Sequence, residues 1–552
     1  MLSRLLTVCL IMAPSGLFSQ ALFEETAPSR YRIVFTDKLN SPYTTDVPEM
    51  FLSFRAIERR LKQIIPVTQN DLPVNPAYLD SLREAGGQII HSSKWFNSAT
   101  IRVTEESVLE RISKLTFVAE YVPDAPNLTI SKAPGLTASN TQSVNGITEM
   151  DYGGSWFQTA MHKGQLLHNN GYTGKNMVIA IIDAGFAHAD TLSAFNNLFE
   201  RGQIIGTRDF VEPGNNVYGE SSHGMSVLSI IGGYRSGELI GTAPDASFWL
   251  LRSEDGNSEY IIEEDNWIAA AEFADSAGAD IINTSLGYSE FNDSSQNHTY
   301  TDMDGNTTRV SRAADIAASK GILVVTSAGN QGNVDWKYIT APADADSVLT
   351  IGAVDRLLNV TAFSSRGPSS DGQVKPNVMA LGAGVFVAGL DGSIRQGNGT
   401  SFSSPVITGL SACLWQANPE ATMMEIYNAI CESADRYYNP DSAYGYGIPD
   451  FNLANILLKA AREGNQSNAS VMAFPNPFYN QLYIFFETPV NSPVDITLFD
   501  LAGKEVFRKN YPAVYERKHL IVESDFDHIQ KGVYIIRIVA KPLSGNAKLV
   551  KY

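Results

Sequence analysis

The amino-acid sequence predicts an α/β fold, a parallel sheet covered by helices, with a small α+β unit before it and a β-sandwich after it. Between about 176 and 450, short runs that are apolar on both faces are separated by helical patterns, as a parallel sheet buried by helices requires. Beyond about 470 the pattern changes to alternating apolar and polar residues with Asn, Gly and Pro between them, which is typical of antiparallel strands.

Length and composition restrict the class of protein. With 552 residues the chain is too long for one compact core, and we expect three or four units. A hydrophobic content of 44% is ordinary for a globular protein and argues against disorder. The formal net charge of −18 would repel phosphate backbones, so no nucleic-acid partner is expected.

The N-terminus has the features of a secretory signal peptide over residues 1–20. Arg4 precedes an apolar run that is too short and too poorly flanked for a stable membrane span, with a core helix as the alternative. No later segment is long and apolar enough to cross a bilayer, so no transmembrane segment is predicted. The sequence therefore predicts an exported protein.

Residues 21–125 form the next predicted domain, a small α+β unit. Strand-like and helix-like runs follow one another in it: Tyr31 to Phe35, Phe51 to Lys62, Ala77 to Glu84, Ala99 to Val103, Val108 to Leu115 and Phe117 to Val122. Residues 126–150 are rich in Ser, Thr, Asn, Pro and Gly, which is the composition of a linker and a preferred place for proteolytic nicking. We expect the maturation site there.

The central α/β domain is predicted over residues 151–462. Its strand-like runs are MVIAII (177–182), SFWLL (247–251), ADIIN (279–283), ILVV (322–325), SVLTIGAV (347–354) and GVFVAG (384–389). A linker at 463–470 is expected to let the last domain, the β-sandwich of residues 471–552, fold without touching the α/β domain. The runs QLYIFFE, VDITLFD and VYIIRIV predict strands of that sandwich.

Two cysteines remain once Cys9 is removed with the signal peptide. Cys413 and Cys431 both lie in helix-like apolar patterns, so two buried thiols are the simplest interpretation. A disulfide between them stays open, because spacing alone does not decide it in an exported protein.

Three motifs in the α/β domain carry residues suited to nucleophilic catalysis, in the order Asp, His, Ser. Asp183 ends the buried run VIAIID, at the strand edge where open α/β sheets place their sites. His223 opens HGMSVLSIIGG, in which a glycine is followed by a helical apolar stripe. Ser401, in GNGTSFSSPVITGL, is expected at a helix N-terminus, where backbone N–H groups favour developing negative charge.

These residue types work together because a serine hydroxyl is a poor nucleophile until a base takes its proton, and the base needs a carboxylate to fix its tautomer. Each residue alone has a structural interpretation: a turn former, a buried histidine and a helix N-cap. His188 is the rival base but lacks the following glycine and helix pattern. His162 and His168 precede the first central strand and are predicted to be surface residues.

The mechanism also requires an oxyanion-hole donor. SAGN (327–330), after the run ILVVT, supplies a side-chain amide at Asn330 between the histidine and the serine in sequence.

On these motifs, residues 150 to 460 resemble the subtilisin-like serine proteases. GTSFSSP is the most specific piece, and SAGN, ADIINTSLG and GYGIPD support it. Two positions depart from the family pattern: Ala184 follows the aspartate where Ser or Thr is usual, and the histidine motif reads HGMSV where a second His is common. Neither departure removes a catalytic atom.

The resemblance implies an endopeptidase with an Asp183–His223–Ser401 triad and an extended substrate cleft. It places Ser285, Leu286 and Gly287 on one wall of the primary specificity pocket, paired with extended substrate. The opposite wall is assigned to Ser327, Ala328 and Gly329, and Thr340 to the pocket's base, where its β-branched side chain would shorten the pocket. Protein or peptide chains are the expected substrates.

The flanking segments extend the resemblance. FLSFRAIERR and SKWFNSATIRV look like the propeptide of a bacterial subtilase subgroup, which implies a folding chaperone and inhibitor of the same chain. FPNPFYNQLYIFF and the motifs after it look like the C-terminal sorting domain of type IX secretion substrates, which implies that machinery as a partner and export through the periplasm to the cell surface or the medium. An ordinary carbohydrate-binding or structural β-domain is the alternative.

No cofactor is expected to be required, and no metal ligand is assigned. DMDGN (302–306) partly mimics an acidic calcium loop but lacks the distal Glu, so a simple Asp-Gly turn is predicted. Calcium stabilises many relatives, and its ligands are not evident in this sequence.

Two other functions remain as hypotheses. One is a catalytically inactive surface or adhesion protein that keeps the fold. The other is an esterase or lipase, although the nucleophile elbow G-x-S-x-G of such enzymes is absent around Ser401.

Overall fold

A computed structural model describes residues 30–125, 150–467, 471–474, 476–479, 481–513, 517–523, 526 and 528–552. The predicted signal peptide and residues 126–149 of the predicted maturation linker lie outside the described residues. Among the helices that are described, none has both the length and the apolar composition that a bilayer span requires.

The first described unit is a four-stranded antiparallel sheet with three helices. Its elements are β1 (Arg30–Phe35), α1 (Phe54–Lys62), α2 (Pro76–Glu84), β2 (Gln88–Ser93), β3 (Ser98–Arg102), α3 (Glu106–Ile112) and β4 (Val118–Ala125). The sheet order is β2-β3-β1-β4, and Ile33, Leu82, Ile101 and Ile112 are fully buried between the sheet and α2 and α3. The predicted α+β unit is present.

The central domain contains eleven strands and nine helices among the described residues. The strands are β5 (Val178–Asp183), β6 (Ile204–Asp209), β7 (Tyr234–Arg235), β8 (Leu239–Ile240), β9 (Ser247–Arg252), β10 (Ile281–Thr284), β11 (Leu323–Ser327), β12 (Leu349–Val354), β13 (Val378–Leu381), β14 (Ala383–Ala388) and β15 (Ile394–Asn398). The helices are α4 (Trp156–Ala160), α5 (Gln165–Asn169), α6 (Asn196–Glu200), α7 (His223–Gly232), α8 (Ile262–Ala277), α9 (Arg309–Ser319), α10 (Thr400–Ala417), α11 (Met423–Glu432) and α12 (Phe451–Ser467).

Seven strands form one parallel sheet in the order β13-β12-β11-β10-β5-β9-β6. Successive side chains of β5 enter different cores: Ile179 and Ile181 pack with α7 and α10, whereas Ala180 and Ile182 pack with α8 and α9. The continuous apolar runs of the sequence arise because helices cover both faces of the sheet.

Two details of the strand prediction were wrong. The run GVFVAG is not in the parallel sheet, because β14 pairs antiparallel with β15 in a separate hairpin. The sheet is completed instead by β6, an edge strand whose outer residues are partly exposed, and by β13, which has only four residues. A short strand and a half-polar edge strand both give a weak apolar signal.

The prediction that His162 and His168 are surface residues was also wrong. His162 is fully buried and His168 is 6% exposed, because α4 and α5 pack against α10. His162 Nδ1 lies 3.1 Å from the carbonyl oxygen of Pro449, and burial lowers its pKa to about 4. Cys413 and Cys431 are buried free thiols, the simpler of the two interpretations left open.

The first unit binds the central domain through buried charges on α8. Asp275 is fully buried and accepts hydrogen bonds from Arg59 (2.6 Å), Arg60 (2.8 Å) and Lys94 (2.7 Å). Glu272, one helical turn earlier, accepts from the backbone N–H of Lys94 at 2.7 Å. Each of these charges has an oppositely charged or donor partner across the interface, as burial of charge requires.

The tail is a β-sandwich, as predicted. Its strands are β16 (Val471–Phe474), β17 (Gln481–Val490), β18 (Val494–Asp500), β19 (Glu505–Tyr511), β20 (Arg517–Glu523), β21 (Gly532–Ala540) and β22 (Leu543–Lys551). One antiparallel sheet has the order β16-β17-β20 and the other β19-β18-β21-β22, and their inner faces share one apolar core.

The expected linker does not keep the tail apart from the α/β domain. Helix α12 continues to Ser467, through most of the segment 463–470. Leu453 and Ile456 of this helix form an apolar cluster with Tyr483 and Phe485 of β17. The outer face of the first tail sheet is therefore covered by the last helix of the α/β domain.

Ending the chain at Ser467 should lower the free energy of unfolding of the α/β domain by about 1–3 kcal/mol, because Leu453 and Ile456 lose their apolar cover. Urea unfolding followed by tryptophan fluorescence measures this, since all six tryptophans precede residue 416. An unchanged transition would show that the contact adds nothing to stability.

Candidate active site

Asp183 is the last residue of β5 and its side chain is fully buried. Its Oδ1 accepts hydrogen bonds from the backbone N–H of Ala184 and from Nδ1 of His223, both at 2.8 Å. Its Oδ2 has no hydrogen-bond partner among the described residues. The carboxylate is thus held through one oxygen, at the carboxyl edge of the parallel sheet.

His223 is the first residue of α7, and the glycine after it allows this helix to approach β5 closely. A Cβ at Gly224 would lie 2.6 Å from the carbonyl oxygen of Gly185 and 2.9 Å from Cβ of Asp183, too close for any side chain. The His223 side chain is 33% exposed and stacks against Phe402 with ring centroids 6.0 Å apart. The imidazole is therefore fixed on one side and open to the cleft on the other.

Charge sets the proton affinity of His223. Burial lowers its pKa, but the negative charge of Asp183, the hydrogen bond to Asp183 and the charge of Glu254 together raise it above the ordinary value. An imidazolium that forms beside Asp183 is stabilised in the same way. The rival base, His188, is not hydrogen-bonded to Asp183, whose Oδ1 is engaged by His223.

Ser401 is the second residue of α10, after Gly399 as N-cap with a φ of +150°. Its side chain is 9% exposed, and its hydroxyl donates to the carbonyl oxygen of Ser285 at 3.1 Å. A hydrogen bond from Ser401 to His223 is not formed in this rotamer. Ser401 lies next to Phe402, which stacks on His223, so the predicted nucleophile and the predicted base are close together.

Asn330 lies beyond the end of β11 and is exposed. Its Oδ1 accepts from the backbone N–H of Thr400 at 2.9 Å and from the Thr400 hydroxyl at 3.0 Å. Since both bonds engage the oxygen, the Nδ2 amide remains available as a donor beside the N-terminus of α10.

The two predicted walls follow neighbouring strands of the sheet. Ser285, Leu286 and Gly287 follow β10, while Ser327 ends β11 and leads into Ala328 and Gly329. Because β10 and β11 are adjacent and parallel, both segments leave the sheet at the same edge.

Thr340 lies between these walls and is 2% exposed. A Cβ at Gly287 would lie 2.2 Å from Thr340 Oγ1, and a Cβ at Gly329 would lie 3.0 Å from the same atom. This hydroxyl has no hydrogen-bond partner among the described residues. The threonine therefore occupies the space between the glycines of the two walls.

The segment DMDGN forms a turn. Asp304 accepts from the backbone N–H groups of Asn306 (2.9 Å) and Thr307 (2.7 Å), and Gly305 has a φ of +75°. These bonds match the Asp-Gly turn expected from the sequence.

Sequence reasoning missed three glutamates beside this site. Glu254 and Glu259 line a cleft of about 430 Å³ together with His223 and segment 285–287. Glu263, at the start of α8, lies against them. The signal in the sequence was the acidic segment after β9, SEDGNSEYIIEED, which has no apolar periodicity that would place it in a core.

Comparisons with known proteins match three parts of the chain. The family model for the subtilase family matches residues 174–447, the one for the peptidase S8 propeptide domain of Bacteroidota matches 30–141, and the one for the secretion system C-terminal sorting domain matches 472–552.

Curated proteins and a solved structure are similar to parts of this chain. Subtilisin E of Bacillus subtilis is 27% identical over 378 residues, which are 67% of this chain and 83% of that protein. Serine protease AprX of the same organism is 28% identical over 60% of this chain and 76% of its own length. A crystal structure of MycP1 without its N-terminal propeptide is 24% identical with a TM-score of 0.42, over 54% of this chain and 96% of that one.

Replacing Thr340→Gly should widen the pocket and raise kcat/KM by about tenfold for peptides with Phe before the scissile bond, relative to peptides with Ala there. Thr340→Val keeps the shape and should leave the preference unchanged. A parent profile already dominated by Phe or Tyr would contradict the assignment of Thr340 to the pocket base.

Proposed function

Because the chain belongs to the subtilase family of serine endopeptidases, we propose that Asp183, His223 and Ser401 hydrolyse peptide bonds through an acyl-enzyme intermediate. The observation that carries the proposal is the 2.8 Å bond between the buried Asp183 carboxylate and His223 Nδ1, next to a serine at the start of α10. The C-terminal sorting domain directs export, so the enzyme acts at the cell surface or in the medium.

Ser401 Oγ attacks the carbonyl carbon of the scissile bond while His223 Nε2 takes its proton. The oxyanion that forms accepts hydrogen bonds from Asn330 Nδ2 and from the Ser401 backbone N–H. His223 then gives the proton to the leaving amine, which departs as the acyl-enzyme forms. A water molecule, deprotonated by His223, attacks the acyl carbon, and Ser401 recovers its proton as the acid product leaves.

The negative charge of Asp183 contributes to both the acylation step and the deacylation step. It keeps Nδ1 of His223 protonated, so that Nε2 is the acceptor for the Ser401 proton, and it stabilises the imidazolium between proton transfers. Ser401 has to exchange its bond with the Ser285 carbonyl for one with His223 Nε2. That exchange is a rotation about one side-chain bond, and substrate that pairs with segment 285–287 would favour it.

We infer that the N-terminal domain, a subtilase propeptide, inhibits the enzyme until it is cut away. The buried ion pairs of Asp275 with Arg59, Arg60 and Lys94 support a specific complex. The end of β4 supports the same inference, because the carbonyl of Asp124 accepts from Gln296 of the central domain. Type IX secretion machinery is the proposed partner of the tail.

Ser401→Ala should abolish peptidase turnover, with a loss on the order of a millionfold in kcat, because the nucleophilic oxygen is removed. Casein cleavage measures the loss of turnover, and labelling by a fluorophosphonate probe measures the loss of the reactive serine. Ser403→Ala, two residues later on α10, should stay active and labelled. A parent enzyme that is folded, matured and unlabelled would instead support an inactive surface or adhesion protein.

Asn330→Ala should lower kcat about a hundred- to a thousandfold with little change in KM, since the amide is proposed to contact the oxyanion and not the ground state. Asn330→Asp is the matched variant, because it keeps an acceptor for Thr400 but has no N–H donor. Steady-state kinetics on a chromogenic peptide measure kcat and KM separately for each variant. An effect confined to KM would assign Asn330 to substrate binding.

A further inference from the structure

The proposed oxyanion donor, Asn330, lies on a loop that leaves the sheet after β11. Residues 329–332, here called the oxyanion loop, belong to no helix or strand, and Gly329 has a φ of +103°. The side-chain oxygen of Asn330 is bonded to Thr400, but these bonds do not fix the backbone of Asn330. A loop outside the sheet ladders needs bonds from another segment of the chain to hold its position.

The two proposed oxyanion donors face the same point. A Cβ placed on Gly399 would lie 3.7 Å from Asn330 Nδ2 and 3.7 Å from the backbone nitrogen of Ser401. Because a glycine stands there, no side chain blocks the approach of a substrate oxygen to these two donors. Such a donor stabilises the oxyanion only when it lies about 2.7–3.1 Å from it, so the position of the oxyanion loop controls the rate of the chemical step.

Ser365 is bonded to the oxyanion loop on both sides of Asn330. Its backbone N–H donates to the carbonyl oxygen of Gly329 at 3.0 Å, and its hydroxyl oxygen accepts from the backbone N–H of Gln331 at 3.0 Å. These two groups belong to the two peptide planes that meet at the Cα of Asn330. Since each peptide group is planar, holding both planes also fixes the direction in which the Asn330 side chain leaves the backbone.

The Ser365 hydroxyl is packed directly against the oxyanion loop. Ser365 is fully buried, and a Cβ placed on Gly329 would lie 2.8 Å from Ser365 Oγ. The serine can approach this closely because residue 329 is a glycine, which also suits the positive φ there. Water does not reach the buried serine, so removal of its oxygen would leave the N–H of Gln331 without this acceptor.

The segment that carries Ser365 is itself held on the sheet. The hydroxyl of Ser364 accepts from the backbone N–H of Ala353 in β12 at 3.0 Å. The carbonyl oxygen of Phe363 accepts from the backbone N–H of Gly332, at the end of the oxyanion loop, at 2.9 Å. Ser365 therefore connects the oxyanion loop to a segment whose own position is set by β12.

We propose that Ser365 is a positioning residue for the oxyanion donor Asn330, an inference that rests on the proposed peptidase function. Ser365 is fully buried, so it acts through the backbone of residues 329–331 and not by contact with the substrate. Thr400 holds the amide oxygen of Asn330, and Ser365 holds the peptide groups on both sides of it. Together they direct the Nδ2 amide toward the point that it shares with the Ser401 N–H.

Ser365→Ala should lower kcat about ten- to a hundredfold with little change in KM, because the oxyanion forms only after the substrate is bound. This loss is smaller than the one expected for Asn330→Ala, since the amide is kept and only its position is less well defined. The measurement is steady-state kinetics of the mature secreted enzyme on a chromogenic peptide. Active sites are counted by complete reaction with a fluorophosphonate, so that kcat refers to folded enzyme.

A double-mutant cycle with Asn330→Ala tests whether Ser365 acts through Asn330. Adding Ser365→Ala to Asn330→Ala should lower kcat by less than about threefold, because the donor that Ser365 positions is already absent. Losses that multiply in the double variant would overturn the proposal, as would a Ser365→Ala variant with the kcat of the parent. An Asn330→Ala variant with the kcat of the parent would also overturn it, since no oxyanion donor would then need positioning.

Ser433→Ala is the matched control. Ser433 is buried like Ser365, and its hydroxyl accepts a bond of the same kind, from the backbone N–H of Asp450 at 3.2 Å. This control should lower the melting temperature and leave kcat unchanged, which separates lost stability from a misplaced donor. A loss of kcat in Ser433→Ala equal to that in Ser365→Ala would overturn the positioning role.

Ser365→Cys is the second variant, because a thiol occupies the site of the hydroxyl but accepts hydrogen bonds only weakly. Its kcat should fall in the same way as that of Ser365→Ala. Failure of both variants to fold would assign Ser365 a structural role and overturn the proposal. No cleavage of any peptide by the folded, mature parent would instead overturn the proposed function itself.

Discussion

Parallel strands of one sheet end at the same edge, and the site of this protein depends on that constraint. Asp183 ends β5, the acidic segment with Glu254 follows β9, segment 285–287 follows β10, and Asn330 follows β11. These strands are neighbours in the order β11-β10-β5-β9, so residues far apart in sequence leave the sheet side by side. One edge of the sheet therefore carries Asp183, the two predicted pocket walls, Asn330 and Glu254.

The proposed base, His223, and the proposed nucleophile, Ser401, lie outside the sheet, on the first turns of α7 and α10. Both helices pack on the same face of the sheet, and small residues allow the close approach that the chemistry needs. Gly224 lets His223 reach Asp183, and Gly399 leads into α10 with a backbone conformation that favours glycine. The departure at Ala184 leaves the backbone hydrogen bond to Asp183 intact, since the N–H and not the side chain makes it.

The two flanking domains contact the α/β domain through different kinds of interface. At the interface with the propeptide, buried acids on α8 meet buried bases on α1 and in the β2–β3 turn, so Asp275 has these basic partners only while the two units are together. At the other end, contact with the tail is apolar, through Leu453 and Ile456. When a charged interface separates, water can solvate the exposed groups, whereas separation of an apolar interface exposes hydrophobic surface to water.

The sequence by itself determined the domain order, the α/β class and the position of Asp183, His223, Ser401 and Asn330, because buried strands, helix starts and turn glycines leave local patterns. Only the tertiary structure decided which features meet across the fold. The hairpin of β14, the burial of His162 and His168, and the contact of α12 with the tail depend on partners distant in the chain. The grouping of Glu254, Glu259 and Glu263 also depends on such distant partners. In the sequence these three glutamates are typical of a solvated charged loop, whereas in the fold they lie together between the sheet edge and α8.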